Sequence, residues 1–157
     1  MILIQNNQTT VPVDLKKLKS DTQKILKALK LSRFDISIIL TDNQTMHVYN
    51  RDYRQQAKPT DILSFPYHPD LQPGAKILVH TPEDRNLGDL ILAPQYILDD
   101  LPRWNQDFTT RLEVLLVHGI CHLLGYDHIV DSDYEIMKLE EARLLAAISV
   151  KPGPIIV

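Results

Sequence analysis

One cysteine, Cys121, is all the thiol this 157-residue sequence contains. No internal disulfide framework can therefore staple it, and such usage agrees with a reducing compartment. Long apolar runs are also missing. The opening Met1 to Ile4 gives way at once to polar Gln5, Asn6, Asn7 and Gln8, which suits neither a secretory leader nor a membrane span. No later stretch approaches the roughly 20 apolar residues of a spanning helix. A cytoplasmic location with no membrane partner is the expectation. Low-complexity tracts and internal repeats are absent, and so is a strong charge of either sign. The formal net charge of −3 is no global signature of a nucleic-acid binder. What is present is ordinary globular material, 44% apolar over a length typical of one domain, enough to bury a core. We expect a single domain over residues 1–157.

The charge is unevenly spread. Residues 1–58 hold ten Lys or Arg against five Asp or Glu, and residues 59–157 hold seven against fifteen. Lys16, Lys17, Lys19, Lys24, Lys27 and Lys30 supply much of the basic excess. On an amphipathic helix such lysines ordinarily form a solvated face, although a basic half can also meet an anion.

Periodicity sets out the elements. Ile2 to Asn6 reads as an edge strand, and Val13, Leu15, Leu18, Ile25, Leu26 and Leu29 recur at helical spacing. Phe34 to Leu40 reads as a largely buried strand, and Thr41-Asp42 can cap a helix through Met46 toward Tyr53. Asp61 to Phe65 and Asp89 to Leu92 are two further short strands. The proline-rich residues 66–87 between them predict a long loop, in which Ile77-Leu78-Val79 could form an extra strand. Pro94 to Leu101 predicts a helix that Pro102 helps to stop, Leu112 to Leu124 another, and Asp131, Ser132 or Asp133 can cap a last one ending before Pro152. Residues 150–157 are expected to be a frayed tail. Strands scattered among helices imply an α+β domain, a small mixed sheet of about four strands covered by about five helices.

The chemistry concentrates in His118-Gly119-Ile120-Cys121-His122-Leu123-Leu124-Gly125-Tyr126-Asp127-His128. On a helix, His118 and His122 project from one face one turn apart. Gly125 stands where a helix can end in a left-handed residue, so the chain can turn back and His128 can supply a third nitrogen. Three protein ligands leave a coordination position open, whereas structural zinc sites normally fill all four. A lone histidine on such a helix more often just packs. Three in this spacing point to one metal ion.

The run is similar to the zinc-protease pattern H-E-x-x-H, in which the glutamate is the general base, yet Gly119 occupies that position. Without a base there, peptide hydrolysis loses a role generally worth about two to four powers of ten. A divalent ion still lowers the pKa of a coordinated water to about 7 and stabilises anionic oxygens, which suits phosphate chemistry. Arg51, Arg54 and Lys58, just ahead of the Asp61 strand, are candidate phosphate contacts, arginine having the fork for it. Asp61, Asp89 and Asp127 are candidates to orient histidine rings, although Asp127, adjacent to His128, can instead just shape the turn. Cys121 is expected in the core rather than on the metal, and His47, His68 and His80 match no ligand spacing.

His118 to His128, together with Tyr53 to Pro66, resembles the YbeY family of metal-dependent endoribonucleases. The form H-G-x-x-H-L-x-G-Y-D-H is matched at every fixed position. The resemblance extends to Leu87-Gly88-Asp89-Leu90 and to Met137 with Glu141, covering roughly residues 34–145. It implies a zincin-like metal helix, one Zn2+ held by His118, His122 and His128, and Arg54 as the catalytic arginine that engages the RNA phosphate. It also implies a single-strand-specific endoribonuclease that acts on ribosomal RNA, matures the small-subunit 3′ end, contributes to ribosome quality control and meets the small subunit, with no DNA substrate. The family's usual acidic residue three positions after the arginine is Ala57 here. Two rivals stand beside this reading: a metal-dependent protease or amidase, and a non-catalytic ribosome-associated protein with structural zinc.

Overall fold

Alternating apolar side chains build the sheet. The structure, a computed structural model, describes residues 1–148. Its elements run β1 (Ile2–Asn6), α1 (Leu15–Ala28), β2 (Asp35–Leu40), α2 (Asn43–Arg54), β3 (Ile62–Pro66), β4 (Asn86–Leu92), α3 (Pro94–Asp99), α4 (Phe108–Leu123) and α5 (Asp131–Ile148). In β2, Ile36, Ile38 and Leu40 are buried while Ser37 and Ile39 face the other way, the period of two that a sandwiched strand requires. β1 and β4 flank β2 in parallel, and β3 joins β4 antiparallel, giving the order β1-β2-β4-β3. This is the expected α+β architecture, with β1 at one edge and β3 at the other.

Helices cover both faces. Ile36, Ile38, Leu90 and Leu92 pack with Leu18, Ile25 and Leu26 of α1, Val117 and Ile120 of α4 and Leu144 of α5. Leu63 and Ile91, on the opposite face, meet Met46 of α2 and Ala93. Each fully buried Leu or Ile contributes about 1.5–3 kcal/mol of transfer free energy. Lys17 of α1 reaches Asp21 at 2.6 Å and Glu113 of α4 at 2.8 Å, tying the two helices together. Lys16, Lys19, Lys24, Lys27 and Lys30 are exposed, as a solvated face should be.

Several boundaries differ from the sequence reading. α4 begins one turn before Leu112, because Asp107 caps it by accepting the Thr110 N–H at 2.7 Å. α3 ends at Asp99 and is followed by a 3-10 turn over Leu101–Arg103. Pro102 therefore lies inside a helical turn, near its start, where a missing N–H is harmless. β4 starts at Asn86 and β3 takes in Pro66, shortening the expected loop. Ile77 to Val79 form no strand: only Ile77 is anchored to the core, and Leu78 is 71% exposed. The expected tail at residues 150–157 lies outside the described residues.

Candidate metal centre

The end of α4 sets the geometry. The Gly125 N–H donates to the His122 carbonyl and the Tyr126 N–H to the Cys121 carbonyl, both at 3.1 Å, the paired bonds of a Schellman cap. The cap needs a left-handed residue, and Gly125 supplies it with φ +92°. A Cβ there would also stand 2.0 Å from the Leu71 carbonyl oxygen, so the bare glycine lets the 67–81 segment close against the turn. This reversal brings His128 back over the helix. The ring centroids of His118, His122 and His128 lie 4.5 to 5.4 Å apart, and one nitrogen from each falls within 4.8 Å of the others.

Two of the rings are locked from behind. His122 Nδ1 lies 3.0 Å from the Tyr126 carbonyl oxygen. A carbonyl can only accept, so Nδ1 carries the proton and Nε2 presents a lone pair. His118 Nδ1 lies 3.2 Å from Glu141 Oε2, and a carboxylate selects the same tautomer. The two Nε2 atoms then face each other at 3.1 Å as acceptors, an arrangement that repels unless a cation lies between them. The donor set fits a divalent metal on these grounds. Burial, then the neighbouring His118 and His128, push the His122 imidazole down to about 4, so it is neutral and ligand-ready at physiological pH.

Glu141 is 4% exposed and sits on α5 one turn after buried Met137. A carboxylate this buried requires a positive partner, and an imidazole holding a cation provides one. Asp61, Asp89 and Asp127 do not take that role. Asp61 faces Arg111 at 3.7 Å, Asp89 is exposed, and Asp127 accepts the His128 N–H at 2.6 Å and shapes the turn. Cys121 is fully buried in the core. Burial foremost, then Glu141 and Glu140, push its thiol up, which removes the thiolate a metal would need. Among the described residues the triad is the only such cluster of ligating side chains.

The triad opens onto a cleft of about 860 Å³. Arg54, at the last position of α2, lines it, followed by the left-handed cap Gln55 at φ 57°. Arg51 instead pairs with Asp52 at 2.9 Å outside the cleft, and Lys58 is exposed, its carbonyl accepting from Asn50 Nδ2 at 2.8 Å. Of the three candidate cations, Arg54 alone reaches the site. With Ala57 at the usual acidic position, Arg54 makes no ion pair among the described residues. Sequence reasoning missed Arg111 and Trp104, which share the cleft wall. The signal for Arg111 was a charged residue on the stripe Arg111, Val114, Leu115, His118, His122 of one helix.

Gly119 leaves no carboxylate at the position of the protease base. A Cβ there would lie 2.6 Å from Ile62 Cδ1 and 2.9 Å from Leu90 Cδ2, so this face of α4 lies close against the sheet.

A family model described as Endoribonuclease YbeY matches residues 3–149. The human protein named Endoribonuclease YbeY is 34% identical over 152 residues, 97% of this chain and 90% of that protein. The protein of that name from Neisseria meningitidis serogroup C is 39% identical over 115 residues, 73% of this chain and 64% of its own length. That from Fusobacterium nucleatum is 34% identical over 135 residues, 78% and 76% respectively. The solution structure of TM1509 from Thermotoga maritima superposes with a TM-score of 0.56 at 21% identity, covering 99% of this chain and 100% of that one, and so shares the fold. With the model matching nearly end to end and the human relative aligned over almost its whole length, the chain belongs to the Endoribonuclease YbeY family.

Proposed function

We propose that this chain is a zinc-dependent endoribonuclease that cuts single-stranded RNA in its cleft and acts in ribosomal RNA processing, small-subunit 3′ end maturation and ribosome quality control. Family membership supports the RNA-cleaving activity. The observation that carries the site assignment is the pair of Nε2 acceptors of His118 and His122 at 3.1 Å, with His128 beside them. His118, His122 and His128 would hold the ion, which supplies Lewis acidity toward a phosphate oxygen and acidifies a water. Nitrogen ligands at this number favour zinc.

The protein's own groups divide the remaining work. Glu141 and the Tyr126 carbonyl hold the ligand tautomers, so Nε2 need not reorganise. Arg54 donates its fork to the scissile phosphate and stabilises charge that develops on its oxygens. The narrow cleft admits a flexible strand, and contact through phosphates needs no base identity. A cytoplasmic setting beside the small subunit suits that substrate. No helix among the described residues is long and apolar enough to cross a membrane.

Elemental analysis and cleavage of labelled single-stranded RNA, run on wild type, Arg54→Ala and His122→Ala, test this reading. Arg54→Ala should keep one zinc per chain and lose cleavage by on the order of a hundredfold or more, and His122→Ala should lose both. Cleavage by Arg54→Ala at the wild-type rate removes that residue from the mechanism, and a fully zinc-loaded His122→Ala overturns the ligand set.

A further inference from the structure

Arg111 is a buried cation whose side chain makes no hydrogen bond among the described residues. It lies seven residues before His118, on the same stripe of α4 and roughly 10 Å away along the helix axis, and both side chains line the cleft. Only 3% of Arg111 is exposed. Its guanidinium carbon stands 3.6 Å from the centroid of the Trp104 ring, a stack that fixes the plane of the fork. Asp61 Oδ2 is 3.7 Å from Nη2, beyond hydrogen-bond range, while Asp61 Oδ1 accepts the Ile62 N–H at 2.8 Å. Nε and Nη1 are buried and have no partner among the described residues.

Trp104 is itself held in place. Its indole N–H donates to Asp100 at 2.9 Å, and the Arg103 guanidinium lies 5.1 Å from its ring. Arg103, Trp104 and Asp100 all line the same cleft wall. Arginine stays protonated at any accessible pH. A core arginine kept for stability satisfies its donors, since an unmatched buried charge is strongly destabilising. Here Asp61 and Asp100 balance the charge, yet Nε and Nη1 go without a partner in the wall of the cleft.

We propose that Arg111, steadied by Trp104 and joined by Arg103, is a second phosphate subsite, which takes a phosphodiester of the bound RNA flanking the one at the histidine triad. The inference rests on the RNA-cleaving reading above and extends it: two turns of helix from the triad, Arg111 sets the register of the strand and leaves the reaction itself to the triad and Arg54. Asp61 and Asp100 mark the far limit of the subsite, since a phosphate there must sit on the arginine side.

The test uses zinc-loaded protein and single-stranded RNA oligonucleotides with one neutral methylphosphonate linkage moved stepwise along the strand. Binding is read by anisotropy and cleavage on the same samples. In wild type, one linkage other than the cleaved one should weaken binding roughly tenfold when neutralised. Arg111→Gln should weaken binding of unmodified RNA by a similar factor, become indifferent to that linkage, and reduce the salt dependence by about one counterion. Arg111→Lys should fall between. The proposal is overturned if no flanking linkage matters to wild type, a result that needs no variant to fold, or if the two penalties simply multiply in Arg111→Gln. It is equally overturned if an abasic nucleotide, rather than a neutral linkage, couples to Arg111. Wild type that binds with the expected pattern yet leaves the RNA intact would remove the cleavage reading and keep the subsite.

Discussion

At the scale of single residues, His122 shows how the site is built, because its ring is fixed at one nitrogen so that the other is free. Its partner is a backbone carbonyl that no substitution can delete, whereas the partner of His118 is the Glu141 carboxylate. Glu141→Gln should therefore lower zinc affinity by about 10- to 100-fold, measured by competition with a chromophoric chelator, while the helices stay intact by circular dichroism. Unchanged affinity would mean that the carboxylate only fills space. The three histidines were legible in the sequence because their spacing is local to one helix and its cap. Glu141, 23 residues from His118, is joined to it by the packing of α5 on α4, and no local period reports such a contact. Asp61 and Asp89, nominated for the task, do not take it for the same reason, whereas Asp127 shapes the turn beside His128 as its alternative reading had it.

At the scale of elements, the turn from α4 into the His128 segment joins a helix cap, a ligand and a loop contact in one place. Gly125→Ala combines a left-handed backbone with a Cβ 2.0 Å from Leu71 O. It should destabilise the protein by at least about 2 kcal/mol, read as a lower urea midpoint, and should weaken zinc binding as His128 moves. A variant as stable as wild type would show that the 67–81 segment yields freely. Strand and helix types were legible from apolar periodicity, β2 most clearly, since Ile36, Ile38 and Leu40 are apolar at the required period. Ends were less so. Whether Asp107 or a later residue caps α4 depends on one side chain reaching the Thr110 N–H, and whether Ile77 to Val79 pair as a strand depends on a free sheet edge nearby, which the pattern of residues does not encode.

At the scale of the whole molecule, stability and metal binding share a dependence on pH. The unfolded chain holds its imidazoles near 6.5, while native His122 is pushed down to about 4, by burial first and by its two histidine neighbours next. As pH falls from 6.5 toward 4, the unfolded state takes up a proton that the native state refuses, so metal-free protein should lose stability over that window and gain nothing above it. Urea midpoints of metal-free protein at pH 7 and pH 5 check this: the midpoint should be lower at pH 5, and equal values would contradict it. The α+β class was legible from the order of elements, but the cleft was not, because it gathers the end of α2, the edge of β3 and one stripe of α4 from stretches of chain far apart. The three histidines also differ in mounting: His118 and His122 are half-buried on a helix, while His128 is exposed on the turn beyond it. A chelator arriving from solvent would thus meet that exposed ring first, and loss of an ion held by the triad should begin on that side.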